Sequence, residues 1–479
     1  MLNQLLFVLI TATGGELTST ATVSQMSPDP TPVTEAAPSP ALVVEPPPAP
    51  AASPSPSPAP TGPGGIALLA KWKASLYGFV ELDSMWDTTQ SFNDTAGGGL
   101  IARPDTYAGS HGRATFAVRN SRIGFKLAAP EFEGIKASAV LEMDFLGNQP
   151  PGISEAALFT NPGFRVRHFN LKLETEIVDI LIGQSWQLFG WQPYFHTNSL
   201  EIQGVLAQVY GRTPQIRLSH MFKGEAVSLD VGIAAMRPAQ RNSAVPDGQA
   251  GLRLLINGLT GWRTGGSTGG SLDAAAIGFS GLVRRFAAAE FSASPKNTAD
   301  ALGWGLSLDL MVPIIPASKE SHGNALTLMA SGVKGEGIND QYSAFTGGVG
   351  FPALPNPMNL SPAPTYTPDL DNGLASFDSN GKLHPIEWHS LIVGLQYYFP
   401  GSGAVWLAAN YSRIGSTNAQ DFGAAAKVIT DGQRVDGNIF WDLTSAVRLG
   451  ATYVWLNQKY ADGHEATNHR VQLSGFFLF

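Results

Sequence analysis

The feature that most restricts this chain is a period-two alternation of apolar and polar residues running from about residue 71 to the C terminus. Side chains of a β-strand point to opposite faces in turn, whereas a helix repeats about every 3.6 residues. Val447, Leu449, Ala451, Tyr453 and Trp455 fall on one face of a segment whose other face carries Arg448, Gly450, Thr452 and Val454. Leu302, Trp304, Leu306, Leu308 and Leu310 alternate in the same way with Gly303, Gly305, Ser307 and Asp309. The pattern predicts strands over 75–87, 114–128, 135–146, 164–174, 179–188, 213–223, 225–236, 250–257, 273–284, 301–313, 325–335, 388–400, 404–415, 433–444, 446–458 and 467–479, sixteen in all. Connections alternate in length. Lys223-Gly224-Glu225 and Thr444-Ser445 are short, whereas 88–113, 189–212, 336–387 and 416–432 are long. Short turns at one rim and long loops at the other define a transmembrane antiparallel β-barrel. The stretch 250–300 fits least well, because Gly265-Gly266-Ser267-Thr268-Gly269-Gly270 puts a long connection where a short one is due.

Composition agrees. Charged residues make up 14% of the chain, against about 25% in ordinary soluble domains. The longest unbroken apolar run, Leu5 to Ile10, is far below the roughly 20 apolar residues of a spanning helix. A soluble β-sandwich would turn its apolar face inward and end near ~100–250 residues. The net charge of −8 disfavours nucleic acid as a partner. The absence of cysteine excludes disulfide frameworks, thiolate metal sites and cysteine nucleophiles. No metal or cofactor is expected. Asp369-Leu370-Asp371-Asn372-Gly373 has the start of a calcium loop, but Asn380 stands where the bidentate glutamate belongs. His168, Ser185 and Asp309 form no catalytic motif, so no enzyme is expected.

The chain divides into three parts. Residues 1–20 hold a short apolar segment like a secretory signal, but no Lys or Arg precedes Lys71, so the basic n-region is missing. Residues 21–70 form a proline-rich linker, with 14 of the 34 prolines between 28 and 63. Such a tract offers little to bury and acts as an extended spacer. Residues 71–479 are the barrel. An even strand number brings both barrel ends to the short-turn side, which puts the linker in the periplasm. In the last strand Val471, Leu473, Gly475, Phe477 and Phe479 share one face. A terminal Phe on such a strand resembles the signal read by bacterial barrel-assembly machinery, with Phe477 and Phe479 as the assembly residues. This implies the outer membrane of a Gram-negative cell, with its lipid as surroundings.

Several segments resemble outer-membrane porins, most closely the DcaP-like dicarboxylate porins. They are Leu76-Tyr77-Gly78-Phe79-Val80-Glu81-Leu82-Asp83, Ser121-Arg122-Ile123-Gly124-Phe125-Lys126, Phe164-Arg165-Val166-Arg167-His168 and Leu181-Ile182-Gly183-Gln184-Ser185-Trp186. The match is concentrated in 75–220 and the last strand. Phosphate-selective porins of the O/P type are a second family with the same generic features. The resemblance implies a homotrimeric channel of sixteen strands, a third extracellular loop folded inward, and passage of small anionic solutes. A coiled-coil N-terminal segment belongs to that family's pattern, and the proline-rich tract here departs from it.

A porin works through a water-filled lumen whose width and charges decide what passes. Strand parity turns Arg122, Lys126, Lys136, Arg448 and Arg470 inward, together with Glu81, Asp83 and Glu142, as the pore-lining selectivity residues. Pairing order gathers Arg470, Arg122, Lys126 and Lys136, which predicts anion preference. Arg165 and Arg167 share a face with Phe169, Leu171 and Leu173, so parity ranks them lower unless a bulge intervenes. The third loop supplies a constriction from Trp191, Tyr194, His196, Glu201, Tyr210 and Arg212. The function expected is diffusion of small hydrophilic, anionic, dicarboxylate-like solutes. The alternatives are a phosphate-selective porin and a non-transporting structural or adhesive barrel.

Overall fold

The computed structural model describes residues 71–92, 101–147, 163–190, 206–342, 360–361, 370, 373–422 and 428–479. The terminal segments 1–20 and 21–70 lie outside them.

Antiparallel pairing runs around one sheet and closes on itself. The barrel strands are β1 Lys73–Asp87, β2 in two pieces (Arg113–Ala117 and Arg122–Ala128), β3 Lys136–Asp144, β4 Arg165–Glu174, β5 Asp179–Trp186 and β6 Arg212–Phe222. They continue as β7 Val227–Met236, β8 Asp247–Thr264, β9 Gly270–Ala289, β10 Thr298–Ile315, β11 Leu326–Glu336 and β12 Glu387–Tyr398. The last four are β13 Val405–Gly415, β14 Ile429–Asp442, β15 Val447–Tyr460 and β16 Glu465–Leu478. Both pieces of β2 pair with β1 and so occupy one strand position, which gives sixteen positions. β16 pairs with β1 from Leu478 opposite Phe79 to Arg470 opposite Asp87, and this closes the ring.

The alternation sorts side chains between bilayer and lumen. Val80, Leu82, Ile216, Leu218, Leu306, Leu308, Leu391, Val393, Leu395, Val435, Ile439, Leu449 and Leu473 point outward and are exposed. In water such a belt would be costly, at roughly 25 cal/mol per Å² of apolar surface, whereas against acyl chains it is the expected lipid face. The inward positions are mostly polar: Glu81, Asp83, Asp309, Gln396, Arg434 and Gln472 are all buried from the outer surface.

All sixteen predicted strands are present, and the corrections are local. Around Gly265 the strands run on, so that β8 and β9 have 18 and 20 residues and only 265–269 separates them. The long connection expected there is a short turn at the tip of a long hairpin. In β2, the ladder breaks between Ala117 and Arg122. Ser121 Oγ takes its place, accepting from Glu81 N at 3.0 Å and donating to Glu81 O at 3.3 Å. In β4 a bulge lets His168 face Glu142 while Val166 faces Met143, so Arg167 is the extra residue. Arg167 and His168 are consequently both buried.

The lumen is partly filled at the long-loop end. Phe92 and Ile101 of the first loop, Leu206 and Val209 of the third, and Ile338 and Tyr342 after β11 join one apolar cluster with inward Val454 and Leu456 of β15. The third loop is held inside at both described ends. Phe189 N donates to Gln249 Oε1 at 3.0 Å, Gly190 N to Ser280 Oγ at 2.9 Å, and Tyr210 N to Gln341 O at 2.8 Å.

Candidate functional site

The inner wall of β2–β6 carries a charged cluster where these strands meet the long loops. Glu142 and Asp144 end β3 with their side chains inward. Arg167, placed by the bulge, donates from Nε to Glu142 Oε1 at 2.6 Å and from Nη1 to Asp144 Oδ2 at 3.0 Å. Its Nη2 donates to the Tyr210 hydroxyl at 3.0 Å. Arg165 holds Asp144 through two bonds, Nε to Oδ1 at 2.9 Å and Nη2 to Oδ2 at 2.6 Å. Arg122 Nε lies 3.6 Å from Glu142 Oε1, an ion pair too long for a hydrogen bond. Arg212 opens β6 and lies 4.7 Å over the Trp186 ring and 5.0 Å over the Tyr210 ring.

Local packing fixes this geometry. Gly124 has no side chain, and the Tyr77 ring fills that space: a Cβ there would come within 2.4 Å of the ring. Tyr77 thereby donates its hydroxyl to Glu142 Oε2 at 2.9 Å. Trp186 meets His168 and Tyr210 edge to face, at centroid distances of 5.3 and 4.7 Å. Four guanidiniums thus meet Glu142 and Asp144 in this cluster among the described residues. Glu81 of the neighbouring strand faces Arg122 as well, so guanidiniums outnumber carboxylates there. Arg212 Nη1 is buried without a hydrogen-bond partner among those residues. An enclosed surplus of this kind attracts anions, and guanidinium keeps its charge when partly desolvated.

The other predicted site residues are dispersed. Arg470 is fully buried and bound at 2.9 Å through both Nε and Nη2 to Asp87. Arg122 pairs opposite Phe79 and Arg470 opposite Asp87. Eight positions of β1 separate them, roughly 26 Å along the strand. The gathering of Arg470 with Arg122 is therefore corrected: neighbouring strands do not place residues at the same height. Lys126 is exposed, with Nζ 4.7 Å over the Tyr77 ring, and Lys136 is exposed at the start of β3. Arg448 is buried and pairs with Asp442. Asp83 accepts from Gln472 and Ser474, and Glu81 is buried beside Ser121. Phe477 and Phe479 point outward, and Phe479 closes the ladder against Gly78. Trp191, Tyr194, His196 and Glu201 lie outside the described residues, as does Asp369 with Asp371. Parity alone misplaced Arg165 and Arg167, and the only signal in the sequence was the conflict itself, two arginines on an otherwise apolar face.

A closed ring of sixteen antiparallel strands with an apolar exterior, a charged interior and an inward third loop has the fold of an outer-membrane channel. No protein-family model and no curated protein matches the chain. Among solved structures, it is similar to the outer membrane channel DcaP of Acinetobacter baumannii, at 17% identity and a TM-score of 0.60, over 86% of this chain and 98% of that one. Salmonella typhi OmpF in complex with daunomycin superposes more loosely, at 11% identity and a TM-score of 0.47, over 85% of this chain and 98% of that one. An anion-selective porin from Comamonas acidovorans gives 11% and 0.44, over 85% and 100%. The resemblance to DcaP-like channels holds at the level of the fold.

Proposed function

We propose that this chain is an outer-membrane porin, a passive channel for small hydrophilic anions of the dicarboxylate type. The observation that carries the reading is the charge surplus beside the third loop, where Arg122, Arg165, Arg167 and Arg212 surround Glu142 and Asp144. Two carboxylates on one solute can each take a charge-assisted bond from separate guanidiniums. The same reading places the proline-rich segment in the periplasm, makes the assembly a homotrimer, and gives Phe477 and Phe479 to the barrel-assembly machinery.

The test is reversal potential in a salt gradient across a planar bilayer. Wild type is expected to prefer chloride over potassium, and Arg122→Ala with Arg212→Ala to move toward cations. A C4 dicarboxylate added to one side is expected to reduce chloride current in wild type more than in the double variant. A cation-selective wild type overturns the anion assignment, and a folded barrel that passes no current favours the structural or adhesive reading.

A further inference from the structure

The β8–β9 hairpin leaves the barrel wall. β7 pairs with β8 only as far as Val227 opposite Ile256, and β10 pairs with β9 only as far as Met311 opposite Ala276. Beyond those points the ladder runs within the hairpin, Thr260 opposite Ala274 through Thr264 opposite Gly270. Its outer strand is tied to the adjacent wall, where Ala317 N donates to Thr260 O at 2.9 Å, Thr260 Oγ1 to Ala317 O at 2.8 Å and Thr327 Oγ1 to Trp262 O at 3.1 Å. At the departure point, Ile256 faces Ala275 and Thr260 faces Ala274, so residues 257–259 have no opposite number. An insertion of that size in one strand bends a ribbon sharply.

The bend carries the tip across the short-turn mouth. Gln396 of β12 donates from Nε2 to Thr264 O at 2.6 Å and accepts from Thr264 N at 2.9 Å, a pairing that imitates a strand ladder. Tyr398 donates its hydroxyl to Thr264 Oγ1 at 2.7 Å. Arg448 of β15 donates from Nη1 to three tip carbonyls: Gly265 O at 2.6 Å, Thr268 O at 2.8 Å and Gly266 O at 3.2 Å. Its Nε and Nη2 remain on Asp442, so the guanidinium is anchored by the wall and grips the hairpin with its free edge. In the ring order β15 stands seven positions from β8, close to the opposite side of a sixteen-strand barrel. Trp262 stacks on His322 at 4.3 Å, and Gly270 has no side chain where the Trp262 ring lies.

These contacts are of two kinds. The hairpin's base is held by the covalent chain, by its bonds to Ala317 and Thr327, and by Trp262 and Leu272 packed against the apolar cluster of Tyr398, Trp406 and Phe440. Its glycine-rich tip from Thr264 onward is held by hydrogen bonds to Gln396, Tyr398 and Arg448. We propose that the β8–β9 hairpin is a gate over the short-turn mouth, with Arg448 as its latch and Gln396 as its seat. Passage is then set in series by this hairpin and by the arginine wall. The proposal deepens the porin reading and rests on it where conductance is concerned.

Because the chain has no cysteine, a staple can be introduced without background. Thr264→Cys with Gln396→Cys joins tip to wall, and a second variant replaces Thr260–Ala274 with a two-residue turn. Heat-modifiable mobility on gels confirms folding of each. Single-channel conductance is expected to rise at least about twofold in the shortened variant, since a constriction in series limits flow. The oxidised staple is expected to hold the lowest conductance without flicker, and a reductant to restore the wild-type trace. Wild-type conductance in both variants overturns the gate while leaving the porin intact. If no variant conducts, the porin reading fails, and the gate is judged by labelling of a single Thr268→Cys with a water-soluble maleimide. Labelling at least about fivefold faster when Arg448→Ala is added supports a latch, and an unchanged rate overturns it. If the shortened variant does not fold, the staple and the labelling pair decide by the same outcomes.

Discussion

The barrel has two charged walls built on different terms. On β14–β16 and β1, each guanidinium has its own carboxylate: Arg434 with Asp436, Arg448 with Asp442, and Arg470 with Asp87. On β2–β6, four guanidiniums surround two carboxylates. Both walls are rich in arginine, but on the first the inward Glu81 and Asp83 of β1 add acids beyond the three pairs, whereas on the second guanidiniums outnumber carboxylates. Counting cations in the sequence does not separate them, because the balance depends on which acids the register brings within reach. The paired wall stabilises buried charge, and in the proposed porin the surplus wall is the one that meets solutes.

The largest effect is expected where a pair is broken. Asp87→Ala removes the carboxylate that Arg470 holds through Nε and Nη2 and that Asn468 also reaches, its amide donating to Asp87 at 2.8 Å. Loss of one partner from such a pair costs about 3–5 kcal/mol, read as a lower guanidinium-chloride midpoint for the refolded barrel. Arg122→Ala is expected to cost under about 1 kcal/mol, since its ion pair is long and other cations serve Glu142. Equal midpoints for the two variants would erase the distinction between the walls.

A smaller effect sharpens the comparison from the other side. Asp144→Asn keeps the shape of the surplus wall and removes one of its two carboxylates. It is expected to raise the chloride-to-potassium ratio by roughly twofold, measured by reversal potential. A fall in that ratio would show that the cluster does not govern selectivity.

The smallest effect is a dependence on pH. Tyr210 sits in the third loop, outside the strands. Burial pushes its phenol up, but Arg167, Arg212 and Arg122 together outweigh burial and bring it down to about 7. Protonated below that value, the phenol is neutral; above it, the phenolate cancels one positive charge. Anion preference is therefore expected to decline from about pH 6 to about pH 8, and to stay level over that range in Tyr210→Phe. Ultraviolet difference absorbance of the phenolate gives a second readout. A Tyr210→Phe barrel with the wild-type pH profile would remove this residue from the account.

Much of this was legible in the sequence because alternation is a repeating signal that survives local irregularity. The sixteen strands, the alternation of loop lengths and the outward belt all follow from it. What escaped were single-residue events. Arg167 turns inward through one inserted position, and Ser121 replaces ladder bonds with its hydroxyl. The hairpin beyond Ile256 reads as a long connection between 257 and 273, because 257–264 carries no clear alternation and the tip is rich in glycine, yet it forms a self-paired ribbon that leaves the wall. Arg470 and Arg122 were grouped because strand order gives neighbours around the ring but says nothing of height along it.

The strands differ in length around the ring. β3, β4 and β5 have 9, 10 and 8 residues, whereas β10 has 18 and β9 stays in the wall from Ala276 to Ala289 after its hairpin turns away. A tilted strand of about 9–11 residues just crosses a bilayer. One flank therefore matches the hydrocarbon with nothing to spare, while the other overshoots it. Mismatch costs fractions of a kcal/mol per Å of thickness, so a thicker membrane strains the low flank first and leaves the tall one untouched. Bilayer thickness thus acts on this barrel as a sideways load, applied at the flank that carries the surplus of arginines.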